Sequence, residues 1–326
     1  MRSGRPPRLT FAAAFAAGAL LAAVAAQGAA PAPAPGPPPP PPSCFGAAAR
    51  DPLYPCRNRA LRLTVVPTPR AARNERNAPC NSLQRDGPVN VCAFGVAAAQ
   101  ATRTVALVGD SHASVWRAPL AAIAREQGWR GLSITRKSCP FSRATKRTPE
   151  PTRSHCVRWV KALPGFLGRH PEVDTLFVVA LAGGKVVVPR GRTMTEAKIS
   201  GYANAWRALP ASVQRIVVIR DTPRITRHTV ACVNRAIAAH RPAGRRCARP
   251  RHAALGPDPQ VLAARRARSQ RPAVIDLTRV LCGPHACLPV IGGALVYKDL
   301  HHLSRAFAET LAPQLGRALG RVARAP

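Results

Sequence analysis

From Thr104 onward the chain alternates short apolar, β-branched runs with longer segments of helical spacing, and few folds accommodate that order. TVALV (104–108), GLSIT (131–135), TLFVVAL (175–181), RIVVI (215–219) and PAVIDL (272–277) are short and mostly apolar, as strands covered on both faces should be. Between them, HASVWRAPLAAIAREQG, HCVRWVKALPGFLGRH, TEAKISGYANAWRALP and TVACVNRAIAAH space their apolar residues as helices do. Trp116, Trp159 and Trp206 fall on those helical stripes and are expected in the core. Ser304 is an N-cap for a last amphipathic segment, SRAFAETLAPQLGRALGRV, interrupted near Pro313. The βαβ order predicts an α/β fold, a three-layer αβα sandwich on a parallel sheet. Such sheets take their ligands at the carboxyl ends of the strands.

The N-terminus predicts export. Residues 1–30 have a basic start, an apolar run from Leu9 to Ala26 and small residues beyond, the pattern of a signal peptide or of an uncleaved membrane anchor. Residues 31–43 are a proline-rich spacer, too rich in proline to join a core. Residues 44–100 hold four cysteines, several prolines and little periodicity. They read as a disulfide-tied N-terminal extension that wraps the domain formed by 101–326.

Ten cysteines suit an oxidising compartment. They fall as near neighbours, and although sequence does not fix connectivity, the expected pairs are Cys44 with Cys56, Cys80 with Cys92, Cys139 with Cys156, Cys232 with Cys247 and Cys282 with Cys287. No CxxC has a second CxxC or HxxxH to complete a zinc tetrahedron, so neither a structural metal nor a cofactor is expected. The net charge of +35 comes from 49 Lys and Arg against 14 Asp and Glu. The basic residues run along the whole chain, aromatics make up only 5%, and export removes the protein from nucleic acid. An anionic envelope surface is the partner such a charge fits, and a coding bias toward Arg, Ala, Pro and Gly explains the same composition without one.

Chemistry gathers at two places. VALVGDSHASVW puts Ser111 directly after the first strand of the sheet, at the start of a helix whose free N–H groups favour a developing anion. A serine hydroxyl needs a base, and the base an orienting acid. YKDLHHLS (297–304) supplies both just before the last helix, with Asp299 three residues ahead of His302. The competing readings are Asp299 as a loop acid and His301 as the base. Asp110 is expected to tie the serine turn. His112 fits a substrate contact or a turn cap, and Tyr297 and Arg220 are further candidate substrate contacts.

With these motifs the chain resembles the SGNH hydrolases, whose serine stands in a GDS motif and whose Asp and His come from a late D-x-x-H. It is especially similar to the SGNH-type domain that follows the membrane domain of integral membrane acyltransferases of actinobacterial type. CFGAAARDPLYPC, LVGDSHASVW, KSCPF, SGYANAW, VIRDTP, CGPHACLPVIGGALVYKDLHHLS and LAPQL carry the likeness, from residue 44 to about 320. The resemblance implies a flavodoxin-like sheet, with Ser111 as nucleophile, His302 as base and Asp299 as its orienter. Two departures stand out. No membrane domain lies between the N-terminal segment and residue 44, so a separate membrane acyltransferase becomes the candidate donor partner. The G-x-N of the wider family, which supplies an oxyanion donor after the middle strand, is replaced by VVALAGGKV. The backbones of Ser111, Gly183 and Gly184 are then the candidate oxyanion hole, since losing a donor outright costs about 3 kcal/mol in the transition state.

The leading expectation is an exported serine esterase or O-acyltransferase acting on an acylated envelope glycan or related acyl substrate. A non-catalytic wall-binding module of the same fold is the alternative. Less favoured is a metal-dependent phosphoesterase built on Asp110, His112, Asp299, His301 and His302, because the other acidic and Asn-His motifs of a two-metal site are missing.

Overall fold

In the computed structural model, residues 40–267 and 271–324 are described, so the segment read as signal or anchor and most of the proline spacer lie outside the described residues. Seven strands form the central sheet: β1 (Asn81–Asp86), β2 (Val89–Gly95), β3 (Arg103–Gly109), β4 (Trp129–Thr135), β5 (Val173–Val179), β6 (Arg215–Ile219) and β7 (Ala273–Ile275). Their spatial order is β1-β2-β4-β3-β5-β6-β7, and β4, β3, β5, β6 and β7 run parallel.

The apolar runs follow from what covers them. Along β3, Val105 and Leu107 face one layer while Ala106 and Val108 face the other; Phe177 and Val179 of β5 and Val217 and Ile219 of β6 alternate with their neighbours in the same way. One layer is the Ser111–Glu126 helix with the C-terminal helices Arg305–Glu309 and Ala312–Arg324, joined through Trp116, Leu120, Phe307 and Leu315. The other is Thr152–Gly168, Met194–Trp206 and Pro259–Arg266, joined through Trp159, Leu163, Trp206 and Val261. All three tryptophans expected in the core are there, each at most 2% exposed. The last segment breaks into two helices as its proline requires: Pro313 is the second residue of the final helix, where no helical N–H bond is lost.

The extension differs from its expected form. Residues 81–95 do not merely wrap the domain; they fold into a hairpin whose β2 pairs antiparallel with β4, so the sheet is mixed, though mostly parallel. The hairpin escapes a periodicity reading because NSLQRD is a polar edge strand, and the register shifts between Asn81 and Gln84. In β2, Val89 and Val91 point to one core and Phe94 to the other, as period-two alternation requires, but Asn90 and Cys92 interrupt the apolar run.

Five disulfides join sequence neighbours, Cys44–Cys56, Cys80–Cys92, Cys139–Cys156, Cys232–Cys247 and Cys282–Cys287. Cys80–Cys92 staples the hairpin, and Cys139–Cys156 ties the exit of β4 to the Thr152–Gly168 helix. Closing a loop of about 15 residues stabilises by about 3 kcal/mol in the chain-entropy account. Denatured, unreduced protein is therefore expected to titrate no thiol and the reduced protein to melt well below the oxidised one; two free thiols before reduction would contradict the pairing. Among the described residues, no helix is long and apolar enough to cross a membrane.

Candidate active site

The carboxyl ends of β3, β5 and β6 converge with the loop before the last two helices. β3 ends at Gly109 in a conformation (φ 147°) where a β-carbon would lie 1.8 Å from the Val179 carbonyl oxygen, so only glycine lets the chain pass so close to β5. Asp110 caps the helix that follows. Its Oδ1 accepts from the His112 N–H (2.8 Å) and its Oδ2 from the Leu181 N–H (3.0 Å), so one buried carboxylate ties the exit of β3 to that of β5. This is the turn-tying role expected of Asp110. Ser111 is the first helical residue, and its own N–H is one of the donors a helix start leaves without a helical partner.

The Ser111 hydroxyl meets His302 Nε2 at 2.8 Å, and His302 Nδ1 meets Asp299 Oδ2 at 2.6 Å. The loop is shaped for this by Asp299 itself, whose Oδ1 accepts from the N–H groups of His301 (2.9 Å) and His302 (2.8 Å), an Asx turn that turns the His302 ring back onto the carboxylate. Burial opposes ionisation of Asp299. The hydrogen bonds from the His302 ring and from the two backbone groups, with the charge of His302, outweigh it and hold the carboxyl well below the usual carboxylate range. Asp299 therefore stays an acceptor, and His302 carries its Nδ1 proton toward it, leaving Nε2 to receive the serine proton.

A second acid–histidine chain lies alongside. His112, 2% exposed, has Nδ1 at 2.5 Å from Asp221 Oδ1 and Nε2 at 2.9 Å from His301 Nδ1. Burial works against charge on His112, but Asp221, through charge and hydrogen bond, and Asp110 and Asp299, through charge, prevail and raise its pKa. His301 goes the other way: burial first, then the charges of His302 and His112, push it down to about 4, so it is neutral near neutral pH. When protonated, His112 donates to Asp221 from one nitrogen and to His301 from the other. The competing assignment of His301 as base thus finds its Nδ1 already engaged, while His302 faces the serine. Asp221 also accepts from the N–H groups of Ala182 (2.8 Å) and Thr222 (2.8 Å), and its own N–H donates to Asp258 (2.9 Å). Burial, with repulsion from Asp221, pushes Asp258 up to about 6 against the backbone N–H groups it accepts from.

Asp221 and its chain are what the sequence reading missed. Its signal is an acid at the carboxyl end of a strand, in VIRDTP. His112 is neither substrate contact nor turn cap by its side chain, since the ring is buried between Asp221 and His301. Tyr297 is 3% exposed and so is not presented to a substrate, while Arg220 donates to Asp276 (2.8 Å). At the exit of β5 the Leu181 and Ala182 amides are bound to Asp110 and Asp221, and Gly184 turns its N–H toward Leu181 O (3.4 Å). Of the two glycines named as oxyanion donors, Gly183 keeps the N–H that no acceptor among the described residues takes.

The nitrogens of His112, His301 and His302 come within 4.8 Å of one another. Each is already placed by hydrogen bonds, and both oxygens of Asp110 are bound to backbone, so the D-x-H pair of the phosphoesterase reading does not assemble as a ligand pair. A cavity of about 870 Å³ lies away from all of these groups, lined by the strand starts Arg103 and Arg215 and by the final helix.

Among curated proteins none matches the chain. In the solved structures it is similar to the lipopolysaccharide acetyltransferase periplasmic domain of Salmonella ser. Paratyphi A, with a TM-score of 0.53 and 12% identity over 69% of this chain and 90% of that one. A likeness at that identity speaks to the fold alone, the mostly parallel α/β sandwich described above. The family model described as SGNH domain (fused to AT3 domains) matches residues 73–317, from just ahead of the β1–β2 hairpin into the final helix and across both the serine turn and the D-x-x-H loop, and the chain belongs to that SGNH domain family.

Proposed function

We propose that the protein is an extracytoplasmic serine esterase or O-acyltransferase that carries an acyl group on Ser111 and acts on an acylated envelope glycan or a related molecule. The observation that carries this reading is the unbroken line from Ser111 Oγ through His302 to Asp299, with contacts of 2.8 and 2.6 Å. Ser111 attacks the acyl carbonyl as His302 takes its proton; His302 then protonates the leaving oxygen, and water or a sugar hydroxyl repeats the steps in reverse. The acceptor alone separates hydrolysis from transfer. The family's association with AT3 domains and the likeness to the periplasmic domain of an acetyltransferase support an acyl substrate. Five disulfides support an oxidising compartment. The +35 charge supports docking on an anionic envelope surface, and a separate membrane acyltransferase is the donor partner that such a domain would work with.

The test is hydrolysis of p-nitrophenyl acetate and labelling by a fluorophosphonate. Because neutral His302 must accept the serine proton, the rate is expected to rise from acid to neutral pH. His302→Ala should lower kcat by about a thousandfold or more. A wild-type chain that neither hydrolyses the ester nor takes the probe would overturn the reading, and a rate kept in His302→Ala but lost in His301→Ala would move the base to the neighbouring ring.

A further inference from the structure

Where a β-carbon on Gly183 would stand, there is instead a guanidinium. The ideal position lies 2.6 Å from Arg224 Nη1 and 3.4 Å from its Cζ. Arg224 thus fills, from the exit of β6, the space beside the β5 turn that a side chain at position 183 would otherwise take.

Both partners are held in place. The Gly183 turn is pinned by Asp110 and Asp221, the same carboxylates that fix the start of the Ser111 helix and the His112 ring. Arg224 is anchored through its backbone, its N–H donating to Ala254 O (2.9 Å) and its carbonyl accepting from Arg249 Nη1 (2.7 Å). The side chain itself is exposed, and among the described residues its guanidinium has neither a carboxylate partner nor a hydrogen-bond acceptor. Its positive charge is felt at His301, one residue from the base. The fork of N–H donors thus lies against the Gly183 turn, near enough to the His301 ring for its charge to act there, and has no anion bound to it among the described residues.

We propose that Arg224 is a catalytic residue, the side-chain donor to the acyl oxyanion. The inference rests on the serine reading above. As Ser111 Oγ bonds to the carbonyl carbon, its proton passes to His302 Nε2 and the carbonyl π pair moves onto oxygen. That charge is received by the guanidinium and by the N–H groups of Ser111 and Gly183. When the pair returns, the bond to the leaving oxygen breaks and His302 gives that oxygen its proton. Arg224 stays protonated throughout, so it adds no proton transfer of its own.

A neutral ester separates this role from attraction for a charged substrate. With p-nitrophenyl acetate, Arg224→Ala is expected to lose about a hundredfold to a thousandfold in kcat, with KM within about threefold and an unchanged melt. Arg224→Lys should recover part of the loss, and guanidinium chloride at low millimolar concentration should accelerate Arg224→Ala and not the wild type. If Arg224→Ala keeps kcat within about threefold of an active wild type, or changes KM alone, the inference falls and the serine reading stands. A wild type without turnover overturns both.

Discussion

Ser111→Ala is expected to abolish covalent acylation while leaving the melting temperature nearly unchanged. The hydroxyl sits at the rim of the sheet, half-buried, and its recorded partner is the His302 ring. Losing one neutral hydrogen bond at such a place costs about 1 kcal/mol, and the helix start keeps its cap because that cap is Asp110. The chemistry has no substitute: the neighbouring oxygen nucleophile along the helix, Ser114, is hydrogen-bonded to Thr135 (2.9 Å). Intact mass after incubation with a fluorophosphonate, compared with a thermal melt of the same sample, reads both halves. A Ser111→Ala protein that still gains one phosphonyl adduct with a normal melt would remove Ser111 as the nucleophile and bring the wall-binding reading forward.

Asp299→Asn should lower kcat by up to about four orders of magnitude, the loss known for the equivalent change in the serine protease triad. The amide oxygen can still accept the His301 and His302 N–H groups and keep the Asx turn, but the amide nitrogen then faces His302 Nδ1 and donates to it. That turns the ring to the tautomer with a proton on Nε2, which cannot accept one from serine. The variant also carries a pH signature in stability. Because the folded protein holds the Asp299 pKa below its unfolded value, ionised Asp299 stabilises the fold above the ordinary carboxylate range, and that contribution fades as pH falls through the depressed value. The gap in melting temperature between wild type and Asp299→Asn should be widest near neutrality and narrow on acidification. A rate within tenfold of wild type would show that the His302 tautomer is set elsewhere.

The parts of the molecule legible in its sequence are those that local rules dictate. The parallel strands announce themselves because residues such as Val105, Ala106, Leu107 and Val108 are each covered, so no polar residue interrupts them. Asp299 and His302 were readable together because an Asx turn is written within four residues. The five cysteine pairs were readable for the same reason, their partners being near neighbours. By contrast, the contact of His112 with Asp221 spans 109 residues and that with His301 spans 189, and no local pattern encodes such a meeting. The β1–β2 hairpin stayed hidden although it is local, because its outer strand is polar and carries an irregular register. Arg224 is one arginine among many in a basic chain, and its place against the bare α-carbon of Gly183 is what sets it apart.

The disulfide pairing bears on how such a chain comes to be made. The bridges close loops with sequence separations of 12, 12, 17, 15 and 5, and no loop encloses or overlaps another. For each cysteine the right partner is therefore also the one at highest effective concentration, since the entropy of closure grows with the length of chain between them. A polypeptide delivered N-terminus first presents both members of a pair before the next cysteine arrives. Oxidation can then proceed in step with emergence, each crosslink sealed before a rival thiol exists, and the finished set requires no reshuffling to reach.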